Sequence, residues 1–199
     1  MPKSLKTYFK NSITYTEYRE MIDSLLAEKK TTGENHSEAM LDYTKMNVVR
    51  MKRLDKTTKV KEDLATFLNT MQRKQHWIVL TEAWCGDAAQ SVPVLDKIAE
   101  HSEAIEMSCL LRDENLELMD KYLTNGGRSI PKLISFDAES GEELFSWGPR
   151  PAVLQIMFME MKEKKVDFAE ISEKLHTWYA KNKTEEIQKE IFDALKKSE

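Results

Sequence analysis

Cysteine is scarce in this chain: 199 residues hold two, Cys85 and Cys109. Two thiols cannot build a disulfide framework, so a hydrophobic core must hold the fold. Such sparing use suits a reducing compartment, although a periplasmic chain stripped of its signal shares it. The cytoplasm is the expectation, because Met1 to Lys10 mixes Lys, Ser and Tyr and lacks the apolar stretch of a secretion signal. An excess of positive charge is also missing. Thirty Lys and Arg face 34 Asp and Glu, giving a net charge of −4. The two signs are interspersed, so no basic stripe points to nucleic acid. No apolar run is long enough to span a bilayer, which excludes a membrane partner. His36, His76, His101 and His176 are scattered, and none stands at metal-ligand spacing to a Cys or an acid. Gly126-Gly127-Arg128 is followed by no Lys-Ser or Lys-Thr pair and no helix, so it is not a phosphate loop. Neither a metal nor a cofactor is expected.

What is present is a chain long for one small domain and short for two. One core domain with helical additions at both ends fits: residues 1–56, 57–165 and 166–199. In the first segment Thr14 and Glu17 have capping-box spacing, and Tyr18, Met21, Ile22, Leu25 and Leu26 form one apolar stripe. After a break at Thr31 to Asn35, a second helix is expected to start after Asn35, with Glu38 as its reciprocal capping partner, and to carry Met40, Tyr43, Met51 and Leu54. Thr44 and Asn47 share that face, a mixture that suits a helix lying on a surface. Val60, Leu64, Phe67, Leu68 and Met71 mark a third, cleaner helical face.

The period then changes. Trp77-Ile78-Val79-Leu80-Thr81 reads as a central strand covered on both faces. A helix from about Gly86 to Glu100 follows, with Pro93 expected to kink it. Ile105 to Leu111 is the next strand and Glu114 to Leu123 a short helix. Leu133 to Phe136 and Glu143 to Trp147 form an antiparallel hairpin about Ser140-Gly141. A Met-rich helix runs from about Ala152 to Lys164, and its methionines are packing residues before they are a ligand site. Two more helices fill about Phe168 to Lys197. The order strand, helix, strand, helix, strand, strand, helix predicts an α/β fold, a mixed β-sheet with helices on both faces. No internal repeat or low-complexity segment interrupts it.

Ala83-Trp84-Cys85-Gly86, followed by Pro93-Val94-Leu95-Asp96-Lys97-Ile98-Ala99, resembles the active-site strand, turn and kinked helix of bacterial-type thioredoxins. Gly127-Arg128-Ser129-Ile130-Pro131-Lys132-Leu133-Ile134 resembles the loop in which that family sets a cis-proline opposite its active-site cysteine. Gly148 falls where the family has its late glycine. The resemblance covers roughly Leu64 to Lys164 and implies a thioredoxin-like fold, with N- and C-terminal helical extensions. It implies Cys85 as the reactive thiol and Trp84, Gly86, Asp87, Ile130 and Pro131 as the residues that meet a substrate. Two positions depart from the pattern. Ala88 stands where thioredoxins have a second cysteine, and Val79 where they bury an aspartate that serves it.

A thiolate at a helix start gains up to about 2 kcal/mol, which lowers a thiol of ordinary pKa ~8.5. Asp87 opposes this, and a net lowering of about one pH unit at most is expected for Cys85. Cys109, inside an apolar strand, reads as a buried small hydrophobe, with a role as an unusual resolving thiol the alternative. The function expected is monothiol exchange with protein or small-molecule thiols and disulfides, released by an external thiol. Arg128, Lys132 and Arg150 are the candidates to hold that thiol's carboxylates. The competing reading is a non-catalytic module that binds extended peptides, with Cys85 an inert remnant. The helical extensions offer a surface for a partner or for a second copy of the chain.

Overall fold

The central strand forms where the apolar spacing stops being helical. In the computed structural model, which describes residues 3–199, β1 (Gln75–Thr81) alternates between the two faces of a sheet. Trp77 and Val79 enter one apolar cluster, Ile78 and Leu80 another, and all four are fully buried. That double burial is why the strand reads as an unbroken apolar run. β2 (Ile105–Leu111) pairs with it in parallel, β3 (Lys132–Asp137) antiparallel, and β4 (Glu143–Trp147) antiparallel to β3. The strand order is β2-β1-β3-β4. Parallel neighbours need a crossover, and α5 (Gly86–Ala99) supplies it, running on through Pro93.

Among the described residues four helices precede β1: α1 (Leu5–Lys10), α2 (Tyr15–Ala27), α3 (Glu38–Thr57) and α4 (Glu62–Leu68). The one-turn α6 (Leu116–Met119) lies between β2 and β3. α7 (Ala152–Glu163), α8 (Phe168–Asn182) and α9 (Glu185–Ser198) follow β4. Helices cover both faces. Tyr8 of α1 and Leu118 and Met119 of α6 pack on Ile78 and Leu80, while α2 to α5 and α7 to α9 share the cluster around Trp77 and Val79. The molecule is an α/β fold with a mixed four-stranded sheet and additional helices.

Local chemistry explains several boundaries. Thr14 and Glu17 form the reciprocal capping box at the start of α2. α1 carries no apolar stripe long enough to read in sequence, and the Ser4 hydroxyl caps it by accepting from Thr7 N–H at 3.2 Å. Asn35 does not cap α3: its side chain accepts from Ser37 N–H, and the helix begins at Glu38. α4 ends at Leu68, so Met71 packs from the turn beyond it.

α3 corrects the expectation of a surface helix. Its polar residues Thr44 and Asn47 are fully buried, facing the protein rather than water. Thr44 shares a 2.6 Å hydrogen bond with Thr31, and Asn47 donates to the Ala83 carbonyl in the turn that follows β1. Buried polar groups with partners are tolerated, which is why a mixed stripe packs inward. At the other end, Ile187, Ile191 and Leu195 of α9 are fully buried. Gln188 accepts from Lys61 N–H at 2.9 Å and donates to Lys59 O at 3.0 Å, fastening α9 to the chain between α3 and α4. Among the described residues no helix is long and apolar enough to cross a membrane.

Candidate functional site

β1 delivers the chain to a short turn at residues 82–85, and α5 carries it away. Ala83 is clamped from both sides: its N–H donates to the Thr32 hydroxyl and its carbonyl accepts from Asn47 Nδ2, each at 2.9 Å. Cys85 N–H closes the turn on Glu82 O at 3.1 Å. Cys85 is the N-cap of α5, so its side chain stands at the helix end where unpaired N–H groups gather. Its Sγ donates to the carbonyl of Ile130 at 3.3 Å. The Ile130–Pro131 bond is cis, as is Gly148–Pro149. Gly148 has φ +111, and a Cβ there would lie 2.2 Å from Pro131 O, so only glycine fits against the proline loop. Of the residues expected at the site, Cys85 thus meets Ile130 beside Pro131 and Trp84 packs in the same apolar cluster, whereas Gly86 and Asp87 turn toward α8.

Asp87 is taken up by the chain itself. Its Oδ2 receives Arg150 Nη2 at 2.6 Å and Nε at 3.2 Å, and its Oδ1 accepts from the Tyr179 hydroxyl at 2.8 Å. The two charged side chains retain 12% and 8% exposure, so this is a buried ion pair. Arg150 also stacks on Phe158, 4.1 Å from the ring centre. Tyr179 belongs to α8, and that helix lies directly over the turn. A Cβ on Gly86 would meet the His176 ring at 2.8 Å, so the bare glycine is what lets α8 seat there.

The expectation of an acidified thiol is corrected. Burial, with the Asp87 carboxylate second, pushes the Cys85 thiol up to about 12. The N–H groups of Ala88 and Asp87 and the charge of Arg150 pull the other way and lose. The residue keeps intermediate exposure, but protein atoms dominate the surroundings of its sulfur. The helix-end effect is present and is smaller than desolvation under α8. His176 is also desolvated, and the nearby guanidinium groups of Arg50 and Arg53 help to hold it down at about 4, neutral at neutral pH.

The three cations expected to hold a thiol's carboxylates are all engaged elsewhere. Arg128 pairs with Asp120 at 2.6 Å. Lys132 is buried and donates to Thr124 Oγ1 and Gly148 O. Arg150 belongs to Asp87. What the sequence reading missed is a cavity of ≈270 Å3 beside the thiol, with Trp84, Cys85 and Gly86 on its floor. α3 supplies Met40, Tyr43 and Arg50 to one wall, and α8 supplies Phe168 and His176 to the other. The impure stripe of α3 was the one sequence signal for it. Cys109 lines no part of this cavity. It is buried, its N–H and its carbonyl both bond to Ile13, and burial raises its thiol well above the ordinary range. Among the described residues no group of three or more metal-ligating side chains gathers.

The chain is similar in fold to a crystallised protein of unknown function from Pseudomonas aeruginosa, with a TM-score of 0.66 at 14% identity over 98% of each chain. An HIV epitope scaffold gives a TM-score of 0.64, again at 14% identity and 98% of each chain. At that identity the likeness concerns the fold. No curated protein matches. A thioredoxin family model matches residues 33–165, a stretch that runs from the loop before α3 to the end of α7. That match takes in well over half of the sequence, and by it the chain belongs to the thioredoxin family.

Proposed function

We propose that this protein is a thiol redox protein working through Cys85 alone. One relationship supports the reading: Cys85 Sγ stands at the start of α5, 3.3 Å from the Ile130 carbonyl beside the cis proline, and the residue borders a cavity as well as the core. In the exchange the Cys85 thiol gives up its proton to solvent and attacks one sulfur of a disulfide. A Cys85–substrate disulfide forms, the original S–S bond breaks, and the departing sulfur leaves as thiolate and takes up a proton. Ala88 and Val79 supply no second thiol and no buried acid to serve one. Cys109 is fixed in β2 with its thiol in the core. An external thiol therefore attacks the mixed disulfide and returns Cys85 to the reduced state.

One observation favours a second reading, a non-catalytic thioredoxin-fold binding module: the resting thiol, at about 12, is protonated at neutral pH. The two are separated by incubating the full chain with oxidised glutathione and mapping adducts by mass spectrometry. Monothiol exchange gives one adduct at Cys85, removed by reduced glutathione and absent from Cys85→Ser. Native protein that never forms the adduct belongs to the binding reading.

A further inference from the structure

The cavity between α3 and α8 has three chemical features. Met40, Tyr43 and Phe168 make its walls largely apolar, and Cys85 sits on its floor. The third is Arg50. This guanidinium is half-buried, donates to Asn47 Oδ1 at 2.8 Å, and reaches the Met46 sulfur at 3.8 Å, but has no carboxylate partner among the described residues. The nearest acid on this side, Asp87, is already neutralised by Arg150. Arg53, one turn further along α3, meets Gln90 and adds like charge beside Arg50. A partly desolvated cation without a counter-ion is a costly arrangement in a folded chain, and an arriving anion relieves it.

Size limits the occupant. A volume of ≈270 Å3 is worth about nine waters and falls just under the ~300 Å3 lower end of pockets for drug-sized ligands. We infer that the cavity is a subsite for a small organic thiol or disulfide bearing a carboxylate, its apolar body between α3 and α8, its carboxylate on Arg50 and its sulfur toward Cys85. This rests on the reading of Cys85 as an exchanging thiol and gives that reading its substrate class. Arg50 is here a binding residue supplied by a helix ahead of the sheet, and the apolar walls add affinity for a thiol with an apolar body.

The test uses the full chain and two kinds of probe. The first is inert: (benzylthio)acetate, a thioether with an aromatic ring and a carboxylate, followed by titration calorimetry on wild type and Cys85→Ser. Saturable one-site binding to both is expected. Arg50→Gln should weaken it about tenfold or more, the usual weight of a charge-assisted contact. Met46→Glu should do the same from the half-exposed rim of the cavity, because a glutamate four residues before Arg50 pairs with it along the helix and adds negative charge to the lining. The second kind is reactive: dithiobis(nitrobenzoate), an anionic aromatic disulfide, against neutral dithiodipyridine. Arg50→Gln should slow the anionic reagent about tenfold while changing the neutral one less than about twofold. No binding of the inert probe, or binding unmoved by both variants, overturns the subsite. Exchange at Cys85 that ignores Arg50 with both disulfides also overturns it and leaves the exchange reading standing. Arg50-dependent binding of the inert probe without any exchange at Cys85 upholds the subsite and ends the exchange reading instead.

Discussion

Arg150 holds Asp87 through two nitrogens on one carboxylate oxygen, at 2.6 and 3.2 Å, while Tyr179 takes the other oxygen. Residues 63 and 92 positions away thereby lock the first turn of α5 under α8. The same carboxylate adds to the burial that raises the adjacent thiol. One side chain therefore steadies the turn and suppresses the nucleophile beside it.

Asp87→Asn should separate those two effects. The Cys85 pKa should fall below about 12, since a charge that raises it is gone. Stability should fall by about 3 kcal/mol, because Arg150 is left buried without its anion. Alkylation rate against pH reads the first and urea unfolding the second. A destabilised variant with an unmoved thiol would show that burial alone sets the pKa.

Gly86→Ala puts a methyl 2.8 Å from the His176 ring, closer than a Cβ contact allows. A loss of about 1–2 kcal/mol is expected, as for overpacking at other buried sites. His176→Ala should open the space, so the double variant should recover most of what Gly86→Ala loses. The coupling is measured by a double-mutant cycle in urea. Additive losses would mean that α8 does not rest on this glycine.

Asp96, on α5, is held protonated far above its ordinary range, to about 7, by burial and then by Glu100. The unfolded chain releases that proton near pH 4 and the folded chain keeps it until about 7. The raised acid therefore destabilises increasingly from pH 4 to 7 and no further above. Asp96→Asn should gain on wild type over that window and hold a constant lead of about 2 kcal/mol beyond it, roughly half the full linkage value because solvent reaches part of the side chain. His176, lowered to about 4, acts with the opposite sign between pH 4 and 6.5, which is why the variant is read against wild type and not against pH alone.

Toward iodoacetamide at neutral pH, Cys85 should react about a hundredfold more slowly than free cysteine. A pKa of about 12 leaves few thiolates, and the greater nucleophilicity of each recovers only part of the roughly 3000-fold deficit. The rate should climb with pH and show no plateau below pH 10. A plateau near 7 would place the thiol in the activated class that the first turn of α5 alone suggests.

The sheet was legible because its physics is local. Trp77 to Leu80 carry the apolar run of a doubly covered strand, and Thr14 with Glu17 announce a helix start in four residues. The turn at Trp84 to Asp87 and the proline loop at Ile130 and Pro131 were legible as motifs. The surroundings of the thiol were not. Thr44 and Asn47 look like solvent residues until Thr31 and Ala83 supply their partners. Gly86 gives no sign that His176 will lie on it, ninety residues later. The thiol's acidity depends on that cover, so an estimate from the helix end alone had the wrong sign.

The most direct test counts thiols. Native protein at neutral pH is treated with excess dithiodipyridine, followed to completion, and compared with protein unfolded in urea. The account predicts one reacting thiol in the native state, located at Cys85, and two after unfolding, with Cys109 appearing only then. No native reaction, or reaction of both cysteines together at the rate of global unfolding, would contradict it, since Cys85 would then be as enclosed as the core.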